Sequence, residues 1–321
     1  MNDVVALGEL LIDFTPIKTA NNKESFEANP GGAPVNVLAC LSMLGKKTAF
    51  IGKVGNDHFG KFLYNYLKEK KINVSSLKFT TEANTTLAFV HLGKKGERSF
   101  SFFRKPGADI TLSKKDVEYK IIKDSKIFHF GSLSLTNEPA RKTTLDTVKF
   151  AKKEGLIISY DPNYRKPLWK NINEAKKYIK TGLKYADIIK LSHEELELIT
   201  SKNDLDYGTS LLFDMGIPII FVTLGEKGAY YKYKRGNGLL KTFRVKAIDT
   251  TGAGDAFMGA VLYKLSGKSL EEINNLPEKE FEEIVRFANV AGALAATKKG
   301  AIPAMPGLNE INNTLNILKI N

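Results

Sequence analysis

The residues best suited to chemistry are Asp249-Thr250-Thr251-Gly252-Ala253-Gly254-Asp255, which run straight into the apolar stretch Ala256-Phe257-Met258-Gly259-Ala260-Val261-Leu262. Two threonines and two glycines ahead of a run with helical spacing predict a loop that becomes the first turn of a helix. Such a turn presents N–H groups without intrahelical partners and about half a positive charge, and the glycines let an anion come close. The pattern suits a phosphate. Asp255 stands against it, because a carboxylate repels a bound anion. Its presence makes sense if it takes the proton of a hydroxyl that attacks the phosphate. Stabilising the helix N-terminus is the alternative.

Two further glycine segments invite the same question. Asn29-Pro30-Gly31-Gly32-Ala33-Pro34-Val35-Asn36 predicts a turn that enters a helix over 35–44, with Asn36 in its first turn. Gly55-Asn56-Asp57-His58-Phe59-Gly60-Lys61-Phe62 nearly spells a nucleotide-binding P-loop, but Phe62 stands where a magnesium-binding Ser or Thr is required. Asp57 is better read as the N-cap of a helix running to about Lys70. Asp13, isolated among the apolar residues of 10–17, suits a cap, a solvent-facing position or a polyol hydroxyl.

The elements that position these residues follow from composition and periodicity. With 321 residues, 43% of them hydrophobic, the chain can bury a large α/β core. The formal charge of +13 comes from 48 Lys plus Arg against 35 Asp plus Glu, with no block of five like charges. Scattered lysines describe a solvated surface rather than a nucleic-acid or membrane face. The single cysteine, Cys40, excludes an intrachain disulfide and reads as buried filler in a reducing compartment. No leader and no stretch of about 20 apolar residues is present, so a cytoplasmic location is expected.

Strands are predicted over 4–8, 10–17, 127–131, 156–161, 187–192 and 217–224, with helices over 138–153 and 194–200 between them. Strand–helix alternation implies a mainly parallel sheet with ligands at the strands' carboxyl ends. Asp161, Asn163 and Arg165, then Lys190, Ser192 and Glu195, then Thr223, Gly225 and Gly228 fall at such ends. A hairpin over 85–92 and 98–104, turning at 93–96, carries Phe100, Phe102, Phe103 and Arg104 and can join 10–17 in a small sheet covering a site. A second hairpin, 229–233 with 239–245, turns at 235–238. Residues 287–297 form a small-residue helix ended by Lys298-Lys299-Gly300; its narrow surface leaves room for a flat ligand or permits close helix packing.

Gly31-Gly32-Ala33-Pro34-x-Asn36 and Asp249-Thr-Thr-Gly-Ala-Gly-Asp255 resemble the two signatures of the ribokinase, or PfkB, family of carbohydrate kinases, and the resemblance covers essentially the whole chain. Within the family the sequence is most similar to fructokinases, through 96–109 (Gly-Glu-Arg-Ser-Phe-Ser-Phe-Phe-Arg-Lys-Pro-Gly-Ala-Asp) and Asp161-Pro162-Asn163-Tyr164-Arg165-x-x-Leu168-Trp169. The implied fold is a single ribokinase-like three-layer α/β/α domain over 1–321, with a mainly parallel central sheet and a small β-sheet lid from about 10–18 and 85–105. The implied activity is phosphoryl transfer from ATP to a sugar, with Mg²⁺ and a potassium ion as accompanying cations. Asp255 would be the catalytic base and Gly252, Ala253 and Gly254 the anion hole. Asp13, Gly31, Gly32, Asn36, Phe102 and Arg104 would meet the sugar, with Arg165 assisting sugar or phosphate.

Lys190, Ser192, Thr223, Gly225, Gly228, Gly252, Gly254 and Asn289 would line the nucleotide site by the same resemblance. Glu195 would serve Mg²⁺ indirectly, although the family's Asn-x-x-Glu is here Ser192-x-x-Glu195. Potassium ligands would be Asp249, Thr251, Ala295, Lys298, Gly300 and Ala304, mostly through carbonyls; Ala304 lacks the hydroxyl some members offer there. A homodimer through the lid is implied, with no nucleic acid and no membrane as partner. Kinases of 2-keto-3-deoxygluconate or ribose are the nearest alternatives, since Phe103-Arg104 and Asn163-Tyr164-Arg165 also resemble the former. Phe102, where that substrate calls for tyrosine, favours neutral fructose. A catalytically idle sugar-binding regulator is the alternative of another class, opposed by the intact Asp255 and glycines.

Overall fold

The computed structural model describes residues 1–18, 24–92 and 98–320. Asn2–Leu7 (β1) runs through the central sheet between Thr48–Gly55 (β4) and Ser125–Gly131 (β8). Ile72–Thr80 (β5) pairs outside β4, while Ile157–Asp161 (β9), Ile188–Ser192 (β10) and Ile219–Thr223 (β11) follow in order outside β8. All of these pairs are parallel. Ala229–Tyr233 (β12) and Gly236–Leu240 (β13) close that edge as an antiparallel hairpin.

Helices cover both faces, which is why the strands are apolar nearly throughout. On one face lie Ala33–Met43 (α1), His58–Glu69 (α2), Ala253–Leu265 (α8) and Glu278–Ala295 (α10), with Leu38, Leu63, Met258 and Phe287 packed in one core with Ala6, Ile188 and Phe221. Leu270–Asn274 (α9) and Leu308–Ile320 (α11) join that layer through Ile273 and Ile311. On the other face Tyr119–Lys123 (α3), Ala140–Lys153 (α4), Ile172–Leu183 (α5), His193–Thr200 (α6) and Leu205–Asp214 (α7) bury Ile121, Val148, Ile179, Leu196 and Leu212 with Phe128, Ile158 and Val222. The architecture is the expected three-layer α/β/α. Strand order changes direction at β1, so the loops leaving β1, β8, β9 and β10 diverge around a crevice. No helix among the described residues is long and apolar enough to cross a membrane.

A separate four-stranded sheet sits over this end. Its order is Glu24–Gly31 (β3), Leu11–Lys18 (β2), Leu87–Leu92 (β6) and Arg98–Phe103 (β7). β2 and the β6–β7 pair are the predicted lid strands; the turn expected at 93–96 lies outside the described residues. β3 departs from expectation, because Asn29-Pro30-Gly31 reads as a turn yet continues a ladder from Lys18–Glu24 to Leu11–Gly31. β3 is an edge strand, where a missing proline N–H is tolerated.

Two boundaries also differ. The second hairpin turns at Lys234-Arg235, since Tyr233 pairs with Gly236, and its return strand stops at Leu240. Gly236 and Gly238 lie inside that strand because side chains there would press on Glu278 and on the Tyr231 ring. Helix α10 stops at Ala295 rather than at Lys298–Gly300, and the carbonyl of Ala296 accepts the N–H groups of Ile248 and Asp249 instead. Asp57 caps α2 as predicted, its Oδ1 accepting the Gly60 N–H at 2.7 Å.

Candidate active site

The loop ahead of α8 turns on Gly252, whose φ of 79° lies in the left-handed region that favours glycine. Asp255 is buried in the first turn that follows. Gly259, one turn further on, lets α8 lie directly on α1, because a Cβ there would stand 2.7 Å from the Cβ of Cys40. That close approach brings Asn36 to Asp255, with Nδ2 donating to Oδ2 at 2.7 Å. Asn163, in the loop after β9, donates to Oδ1 at 3.3 Å.

Around Asp255 opens a cavity of about 610 Å³. Glu9, Asp13, Gly32 and Asn36 form one wall, Phe100 and Phe102 of β7 the roof, and Asn163, Arg165, Lys190, Gly252 and Gly254 the remainder. Gly31 lies behind the wall, where a Cβ would overlap the Asp13 carboxylate, and at Gly32 (φ 125°) a Cβ would meet the Glu9 carbonyl. The Gly-Gly pair is therefore what lets the strand end fold over Asp13. Glu9 Oε1 accepts the Ala33 N–H at 2.8 Å, at the start of α1.

The electrostatics are dominated by buried charge. Lys190 Nζ stands 2.9 Å from Asp161 Oδ2, and a Cβ on Gly254 would come equally close to that ammonium, so glycine leaves Lys190 access to the anion loop. Burial alone would lower the Lys190 ammonium, but Asp161, Glu195 and Asp255 outweigh it and hold it above the ordinary lysine range. Burial raises Asp255 above the usual carboxylate range against the opposing pull of Lys190, the Asn36 amide and Arg165. Burial also pushes Asp13 up to about 7, with Arg165 opposing. The Arg165 guanidinium lies 5.7 Å from the centroid of the Phe100 ring, so the floor loop already meets the lid.

Several expected positions fall elsewhere. Arg104 is buried and committed: it donates to Asp109 Oδ2 through Nε at 2.8 Å, to Thr136 Oγ1 at 2.9 Å and to the Leu133 carbonyl at 3.0 Å. It stands behind the cavity wall, fixing Leu133, which lines the cavity. The Ala253 N–H turns to the Thr250 carbonyl at 3.2 Å and so differs from an open anion-hole donor. Ser192 and Glu195 form a capping box at the start of α6. Glu195 Oε2 accepts the Ser192 N–H at 2.7 Å and Oε1 accepts the Tyr164 N–H at 2.6 Å.

Beyond the loop lies a second cavity of about 790 Å³, walled by Thr223, Gly225, Gly228, Phe257, Asn289, Gly292, Ala293 and Ala296 and reaching Ala253 and Gly254. Lys190 and Ser192, expected with these residues, belong to the first cavity's side. Asn289 also holds the end of β13, donating to the Leu240 carbonyl at 2.9 Å. Of the candidate potassium ligands, Asp249 joins Thr251 and Gly300, accepting their N–H groups at 2.8 Å and 3.1 Å, and Ala295 and Ala304 are buried. Lys298 pairs with Glu310 at 2.8 Å. Glu9 and Leu133 are walls that no sequence signal singled out, whereas Asn163 stands at the predicted strand end and Phe100 on the predicted lid hairpin; Ser192-x-x-Glu195 fits the capping-box pattern.

The family model described as "pfkB family carbohydrate kinase" matches residues 1–307. The chain is 42% identical to a protein named probable fructokinase-2 of Arabidopsis thaliana over 308 residues, covering 94% of this chain and 92% of that protein. Among solved structures, a fructokinase of Xylella fastidiosa with bound ATP superimposes with a TM-score of 0.90 at 32% identity, covering 99% of this chain and 100% of the other. A fructokinase of Vibrio cholerae O395 with fructose, ADP and calcium bound gives 0.86 at 33% identity, covering 97% and 98%.

Proposed function

The chain belongs to the pfkB family of carbohydrate kinases, and from that premise we propose that it transfers the terminal phosphoryl group of ATP to the 6-hydroxyl of fructose. The observation that carries the proposal is the position of Asp255, on the first turn of α8, between a polar cavity and a more apolar one that share Gly254. In this reading Asp13, Gly32, Asn36 and Phe102 hold the sugar, while Thr223, Gly225, Gly228 and Asn289 receive the nucleotide. Asp255 accepts the proton as the hydroxyl oxygen bonds to phosphorus and ADP departs. The glycine turn, Lys190 and Arg165 offset the charge of the phosphoryl group in transit.

The second cavity has the size a nucleotide needs and a lining that combines apolar side chains such as Phe243, Val245 and Phe257 with small residues. Glu195 lines a small cavity beside Asn163, Tyr164 and Lys190, and Mg²⁺ bound near it through water would neutralise phosphate charge. Potassium would be held at the junction of Asp249, Thr251, Ala295, Lys298, Gly300 and Ala304. Fructose is favoured over a sugar acid because Arg104, the second cation an acid would need, is spent on Asp109. The unit proposed is one domain with an inserted lid, in a cytoplasmic setting compatible with the buried, unpaired Cys40.

A lid-to-lid dimer belongs to the same proposal. With Phe100 and Phe102 roofing the cavity, strand alternation puts Phe103 on the outer face, where it is 63% exposed and meets Phe89, itself stacked on Phe14. A panel of fructose, ribose and 2-keto-3-deoxygluconate with ATP, read by ADP release, tests the substrate. Preference for the keto acid would overturn it. Phe103→Asp should shift the protein to monomers in sedimentation, and an unchanged state would remove the lid interface.

A further inference from the structure

The Asp255 carboxylate is gripped from two sides, and the chemistry above uses neither grip. An ionised carboxylate only accepts hydrogen bonds, so Asn36 and Asn163 must both turn their NH₂ groups toward it. Asn163 does so from a backbone φ of 46°, in the left-handed region that few residues other than glycine, asparagine and aspartate enter. Its neighbours enforce that conformation. The Ser132 N–H donates to the Pro162 carbonyl at 3.0 Å on one side, and the Tyr164 N–H donates to Glu195 Oε1 at 2.6 Å on the other. Glu195 is itself fixed by its capping box with Ser192. Anchors on the β8 loop and on α6 thus aim one side-chain amide at Asp255 Oδ1.

The two grips are unequal. The 2.7 Å contact from Asn36 to Oδ2 is a full charge-assisted hydrogen bond, whereas the 3.3 Å contact from Asn163 to Oδ1 is a weak one. A base must receive its hydroxyl within about 2.6–3.2 Å. The oxygen that is held loosely is the one able to accept a new partner.

We propose that Asn163 is a positioning residue for phosphoryl transfer: its amide sets the plane of the Asp255 carboxylate and reserves Oδ1 as the atom that takes the sugar's proton. The proposal rests on the reading of Asp255 as the base. As the step proceeds, the sugar O–H bond breaks and its proton passes to Oδ1. The hydroxyl oxygen's electron pair forms the new P–O bond, and the bridging oxygen leaves with ADP. Oδ2 stays with Asn36 throughout, so the carboxylate does not rotate. The charged or titratable groups around Asp255 are Asp13 of the lid, Cys40 of α1, Asp161 and Arg165 at the end of β9, Lys190 of β10 and Glu195 of α6. Substituting Asn163 alters none of them.

Asn163→Gly is the informative variant, because glycine accepts the left-handed backbone while removing the amide. Its kcat should fall on the order of 10-fold, the scale of a modest misplacement of a catalytic group, with the KM for fructose within about threefold. The acidic limb of the pH–kcat profile should rise by ~0.5 unit, since the lost donor favoured the charged carboxylate. Asn163→Ala should show the same kinetic change with a lower Tm, because it adds backbone strain. A Gly variant with parental kcat and an unmoved limb overturns the proposal. So does a raised KM with kcat and limb unchanged, which makes Asn163 a sugar ligand. Asp255→Asn separates the two levels: normal turnover in that variant removes the base itself, whereas an inactive Asp255→Asn beside a normal Asn163→Gly removes Asn163 alone.

Discussion

The cavities on either side of the α8 loop are built on opposite plans. One is walled by charges and amides, among them Glu9, Asp13, Asn36, Asn163, Arg165 and Lys190. The other is more apolar, lined by Phe243, Val245 and Phe257 together with Gly225, Gly228, Gly292, Ala293 and Ala296, whose small size leaves room for a flat guest. A polyol offers hydroxyls in fixed directions and needs polar groups set against each. An adenine ring needs a slot, and backbone with small side chains makes one. Only the loop between the cavities, with Thr250 and Gly254 facing both, belongs to the two plans at once.

The comparison breaks most sharply at that shared loop. Asp255→Asn keeps the shape and the Asn36 contact but removes the base, so turnover should fall at least ~100-fold. Sugar and nucleotide binding, read by calorimetry, should persist; near-normal turnover would take Asp255 out of the mechanism. A smaller effect should separate the two sides. Ala293→Leu fills the slot without touching the polar cavity, and should raise the KM for ATP on the order of 10-fold while the KM for fructose holds. If both constants rise together, the two cavities are not independent.

How much of this the sequence disclosed follows the same division. Asp255 and its glycine loop announce themselves because an anion cradle beside an acid resides in residue type and spacing, whereas Asp13 and Asn36 acquire a definite role only through the family resemblance. Arg104 shows the limit: its type suits an anion or a sugar, but Asp109, five residues on, takes its guanidinium, and nothing in the spacing reveals that. Lys190 was legible as a strand-end cation; its side of the loop was not, because the strand fixes the end and the neighbouring carboxylate fixes the reach. Ser192 and Glu195 read only as a ligand pair in the sequence, although the same spacing suits the capping box that the fold makes of them. β3 was hidden by Asn29-Pro30-Gly31, whose turn chemistry is tolerated at a sheet edge. In the main sheet β1 and β8 to β11 were readable because burial on both faces makes them nearly continuously apolar; β4, interrupted by Gly52, Lys53 and Gly55, and the half-exposed edge strand β5 were not.

The smallest effect is the most specific to the charged wall. Glu9 is buried, with one oxygen on the Ala33 N–H and Oε2 without a hydrogen-bond partner. Burial pushes its carboxyl up to about 7, with Arg104 opposing and Asp109 adding to the rise. The folded protein therefore keeps this proton to higher pH than the unfolded chain, which gives it up near the ordinary value of 4.5. Between those two values the folded state binds more protons, so this group's contribution to stability falls as pH rises and is fully lost above about 7. Glu9→Gln retains an acceptor for Ala33 and cannot titrate. Its Tm relative to the parent should rise by a few degrees from about pH 5 to pH 8, the scale of a shift of about 2.5 kcal/mol in a chain of this size. Asp13 and Asp161 titrate in both proteins and cancel in the difference. A Tm difference independent of pH would mean that Glu9 is ionised in the fold throughout, and that the polar cavity carries one more negative charge than its geometry accommodates.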